Sequence, residues 1–141
     1  MAIGALDNLV KIKKLNVEAP DQTEFNGMLK AAETKLQDVK LLGLSVDSQF
    51  SLAYSAAHAL ALAALRWHGY RSDTRYLVFQ SLTHTLDLAN ASWRVLDKCH
   101  RCRNLAEYEG HLEIDEQLLK ELIEIGDELL VRVNKMGPVK D

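Results

Sequence analysis

An all-α fold, an antiparallel up-and-down four-helix bundle with a short additional N-terminal helix, is predicted by three observations. No segment alternates apolar and polar residues with the period of two that a half-buried strand requires. Long segments instead repeat apolar residues every three or four positions, the spacing of one helix face. Only two prolines occur in 141 residues, so little interrupts those helices.

Ala5 to Leu15 sets Leu6, Leu9, Val10 and Ile12 against Lys11, Lys13 and Lys14. This predicts a short amphipathic helix with a basic edge, either a lid on the bundle end or an anion-binding arm. Pro20 closes that segment, and Asp21 with Glu24 three residues later makes a capping-box-like start. Phe25, Met28, Leu29, Ala32, Leu36 and Val39 carry the next helix to about Leu42, where Gly43 can take the left-handed conformation that ends it. Ser45 or Asp47 caps a helix from Val46 to about His68, apolar nearly all round and rich in alanine, which marks it as the most buried. Gly69 ends that helix. Ser72 or Asp73 caps the next, which carries Tyr76, Leu77, Phe79, Leu82 and Leu86, with His84 as an edge histidine. Asn90 or Ser92 opens the helix of Trp93, interrupted at Gly110. Glu113, Asp115 and Glu116 place negative charge where the macrodipole of the last helix favours it. Leu118, Leu119, Leu122, Ile125, Leu129 and Val133 give that helix a wide apolar face, and Gly137 with Pro138 ends it.

The chain is 48% hydrophobic and 26% charged, which suits one domain spanning residues 1–141. A formal net charge of −3 excludes a global basic field, so any anion site must be a local patch. No stretch approaches the roughly 18 apolar residues of a membrane span, and the N-terminus carries Asp7 and three lysines in place of an apolar leader core. A cytoplasmic protein without membrane association is expected. Two cysteines, Cys99 and Cys102, cannot build a disulfide framework or a four-cysteine zinc site. Neither a metal site nor a cofactor is expected.

The densest chemistry lies between Trp93 and His111. At about 100° per residue, Asp97, Arg101, Asn104 and Tyr108 share one arc of a helix, and Val95, Cys99, Cys102 and Ala106 form the opposite stripe. The second stripe is the predicted core face, which makes both cysteines packing residues. Arg103 lies roughly 140° from Tyr108 and shares no face with it on a regular helix. Trp93, beside the polar arc, reads as an interface or stacking residue because a solvent-facing indole is costly. Tyr54 and His58, four apart in the alanine-rich helix, read either as a hydrogen-bonded core pair or as the lining of a ligand cleft. Arg with His or Tyr can also serve metal-free RNA cleavage, in which a base or acid acts at the 2′-hydroxyl and a cation meets the developing charge.

Ala53-Tyr54-Ser55-Ala56-Ala57-His58, the Gly69-Tyr70-Arg71 turn and Arg103-Asn104-Leu105-Ala106-Glu107-Tyr108 together resemble the HEPN domains, small helical bundles, over roughly Val46 to Gly110. The hallmark of that family is an arginine, usually followed by a polar residue, then four to six positions and a histidine, used in many members for metal-independent RNA cleavage across a dimer interface. Arg103 and Asn104 match its first part, Tyr108 stands at the nearest histidine position, and His111 lies one residue beyond the longest gap. The resemblance implies a homodimer that binds nucleotide or RNA. Arg103, Tyr108 and His111 would be its catalytic candidates, and Arg101, Asn104, Tyr54 and His58 its binding residues. It further implies an alternative, a metal-independent endoribonuclease, as the toxin of a pair with a nucleotidyltransferase-type antitoxin; the polar arc by itself offers another, a structural subunit that docks a protein partner.

Overall fold

The computed structural model describes residues 3–110 and 114–139. Its long helices are α2 (Gln22–Val39), α3 (Val46–Trp67), α6 (Asn90–Glu109) and α7 (Glu116–Asn134). Shorter ones are α1 (Ile3–Lys11), α4 (Arg75–Gln80) and α5 (Leu82–Thr85). The chain is predominantly helical, in keeping with an all-α fold, and among the described residues no helix is long and apolar enough to cross a membrane.

The capping chemistry acts where the side chains stand. Asp21, Ser45 and Asp115 each accept a bond from the backbone N–H three residues on, at 2.9, 3.1 and 2.6 Å. At the other ends, Gly69 and Gly110 turn the chain with φ of 90° and 76°, which a side chain would resist.

The expected helix from Tyr76 to Leu86 is broken into α4 and α5. The Ser81 hydroxyl donates to the Leu77 carbonyl at 2.7 Å, the local back-bonding that bends helices, and Asp87 then leaves the helix with φ of 52°. A second difference is a two-residue antiparallel ladder, β1 (Asn16–Val17) against β2 (Tyr70–Arg71), paired Asn16 to Arg71 and Val17 to Tyr70. Strands this short carry no visible periodicity. Helix α2 stops at Val39, short of Leu42, which is fully exposed.

Helix α3 is the centre of the packing, as its alanines predict: Ala53, Ala56, Ala57, Ala61, Ala63 and Ala64 are all buried. It runs antiparallel to α2, since Gln49 near its start donates to Val39 at the end of α2 and Arg66 near its end bonds Glu24 at the start of α2. It runs parallel to α7, because the Trp67 indole at its end donates to the Gly137 carbonyl just past the end of α7. Helices α2 and α7 approach closely at Gly126, where an added Cβ would stand 3.0 Å from Leu36. Helix α6 packs on α7 and α4 more broadly than on α3, so α4 is a wedge between α3 and α6.

Candidate functional site

That wedge assembles the site. Tyr54 and His58 stand one turn apart on α3, Arg75 and Phe79 one turn apart on α4, and His100, Arg103 and Asn104 within one turn on α6. Tyr54 is fully buried, its ring stacked on Phe50 at 5.9 Å and set edge-on to Phe79 at 5.7 Å. Two guanidiniums from different helices converge on the same ring, Arg75 at 5.5 Å and Arg103 at 5.2 Å from its centre. The Tyr54 hydroxyl lies 2.9 Å from His100 Nδ1, and the Asn104 amide nitrogen 3.2 Å from His100 Nε2. The Asn104 amide donates, which assigns Nε2 as the acceptor and puts the His100 proton on Nδ1, facing the phenol oxygen.

The electrostatics keep both imidazoles neutral. Burial lowers His58 to about 4, with the charges of Arg75 and Arg103 pushing the same way. His100 is also lowered, mainly by burial and against the pull of Asp97. Burial raises the Tyr54 phenol, while Arg75 and Arg103 draw it back.

A fold that buries His58 neutral must lose stability in acid. The unfolded imidazole titrates near 6.5 and the folded one at about 4, so between those values the unfolded chain binds more protons. The His58 contribution to stability is therefore lost as pH drops through that window, on the order of 3 kcal/mol in all. His68 and His100, both lowered, add in the same direction, and Glu18, lowered chiefly by its bond to Arg71, adds below its ordinary 4.5. Urea unfolding across pH should show a clearly shallower acid loss for His58→Gln than for the native chain; parallel curves would refute it.

Of the residues singled out in the sequence, the structure brings together Tyr54, His58, Arg103 and Asn104. Arg101 stands apart, its guanidinium 3.4 Å from Asp97 on the solvent side, and Tyr108 is 91% exposed. Trp93 is half-buried and packs edge-on against Tyr76 at 5.9 Å. His111 lies outside the described residues. Cys99 is buried and its thiol pushed up to about 12 by burial, the behaviour of a packing residue, and Cys102 is half-buried.

No family model matches the chain. No curated protein matches it either.

His100 and Arg75 are the site residues that periodicity missed. The inward face of α6 is centred on Leu96 and Cys99, both fully buried, and not on the stripe through Val95 and Ala106, which is half-buried. That rotation carries His100 and Arg103 inward. Leu96 was the available signal, since it is the only leucine in the first half of that helix and lies one turn from His100.

Proposed function

We propose that this chain binds nucleotide or single-stranded RNA through a cationic cleft that Arg75, Arg103, Asn104 and His100 form around Tyr54. The observation that carries the reading is the convergence of two guanidiniums from different helices on one tyrosine. Guanidinium groups match phosphate oxygens in planar, paired hydrogen bonds, and a phosphate between two of them offsets their mutual repulsion. The Arg103-Asn104 pair that carries the resemblance to HEPN domains is also the pair beside Tyr54 and His100, which supports a HEPN-like reading. We infer an up-and-down four-helix framework of α2, α3, α6 and α7 beneath the cleft, supported by the opposed directions of α2 and α3.

Binding is favoured over cleavage because both ring nitrogens of His100 are engaged and leave no lone pair for a 2′-hydroxyl. A second reading, metal-independent RNA cleavage, rests on that same neutral imidazole standing one turn from Arg103, a base beside a cation. It requires Asn104 to release Nε2.

Fluorescence titration with labelled RNA and with AMP at low salt separates these readings. Arg103→Ala and Arg75→Ala should each weaken both ligands by about tenfold or more, the size of a lost charge-assisted hydrogen bond. No binding by the native chain removes the proposal. RNA should stay at full length, and cleavage products that vanish in His100→Ala would replace binding by the second reading.

A further inference from the structure

We propose that a single-stranded RNA held at this cleft continues across α4 into the groove between α1 and α4, stacking a base on Tyr76 and placing phosphates on Lys13 and Lys14. The inference rests on the function proposed above and names a route that the cleft alone does not supply.

The groove has a volume of about 460 Å³ and is lined by Leu9, Ile12, Lys13, Lys14, Tyr76 and Gln80 among others. Arg75 and Tyr76 are neighbours on α4, about 100° apart around its axis, so one helix serves both places. Arg75 reaches Tyr54 on one side while Tyr76 lines the groove on the other. Tyr76 is 40% exposed, and its edge-to-face contact with Trp93 holds the ring in place. A ring that is both open and fixed is a platform for a base.

The lysines are presented by a built turn. Lys13 takes the left-handed φ of 62°, and the Lys13 and Lys14 amides bond back to Val10 and Leu9 at 2.9 and 2.8 Å. Among the described residues neither lysine has an ion-pair partner. On a chain of net charge −3 they are a local cationic edge. Ile12, 62% exposed, lines the same groove and offers an apolar floor. Cations alone would suit an acidic peptide equally; the open ring and apolar floor in the same groove suit a nucleic-acid strand.

The test uses the full chain, a labelled single-stranded RNA of about 16 nucleotides, and AMP. Lys13→Gln/Lys14→Gln should flatten the salt dependence of RNA binding, its log–log slope falling by about 1.4. Tyr76→Ala should weaken RNA by about 5- to 100-fold, the loss of one stacked base. AMP affinity should be unchanged in both, whereas Arg103→Ala weakens AMP and RNA alike. An unchanged RNA slope in the double lysine variant, with AMP still lost in Arg103→Ala, overturns the route and leaves the cleft standing. Polyglutamate displacing RNA as well as unlabelled RNA does also overturns it. If the native chain binds neither ligand, cleft and route fall together.

Discussion

Arg66→Met should destabilise the fold by about 2–4 kcal/mol, the loss of several charge-assisted hydrogen bonds from one buried guanidinium. Arg66 is 2% exposed near the end of α3, and its guanidinium makes a full set of bonds. Its Nε donates to Glu24 at 2.6 Å, its Nη atoms to the Glu18 and Ala19 carbonyls at 2.7 Å each, and Nη2 lies 3.2 Å from the Glu18 carboxylate. Arg71 grips the same two carboxylates from β2. Without Arg66 the segment from β1 to α2 loses the donor that ties down two of its carbonyls, and the lost charge-assisted bonds carry most of the cost. Arg66→Lys should recover less than half, because an ammonium cannot reproduce the planar fork. Against a total stability of roughly 5–15 kcal/mol, the loss should be plain in urea unfolding. A Met variant within about 1 kcal/mol of the native chain would show that the network is dispensable.

Phe79→Ala should cost about 3–5 kcal/mol and also change the chemistry of the site. Phe79 is buried on α4 and meets three of its groups edge-on: Tyr54 at 5.7 Å, His58 at 5.7 Å and His100 at 6.4 Å. It is the apolar wall that helps to keep His58 dry. Removing the ring admits water and lets Tyr54 turn. NMR titration should then show the His58 value rising from about 4 toward its ordinary 6.5, even in the milder Phe79→Leu variant. If that value stays put in both variants, Phe79 is not what desolvates the imidazole.

Helix existence was legible because three-or-four periodicity in α2, α3 and α7 is local information, and so were the Asp21, Ser45 and Gly69 boundaries. The burial of α3 followed from composition alone. Less legible was the rotation of α6. Its sequence offers two overlapping inward arcs, one through Val95 and Cys102 and one through Leu96 and His100, and amphipathicity does not choose between them. The wedge of α4, set by the Ser81 break, decides for the second.

The sequence by itself determined an all-α chain, the most buried helix, the caps of α2, α3 and α7 but not those of α4 and α6, which start at Thr74 and Ala89 without a side-chain cap, the packing role of Cys99, and Arg103 with Asn104 as residues worth attention. Only the tertiary structure decided that Arg103 of α6 meets Tyr54 of α3 beside Arg75 of α4, and that Arg101 and Tyr108 on its own helix stand apart. The reason is physical. A helix face is written in near-neighbour spacing, whereas a site across α3, α4 and α6 depends on how those helices are rotated against one another, which only packing sets.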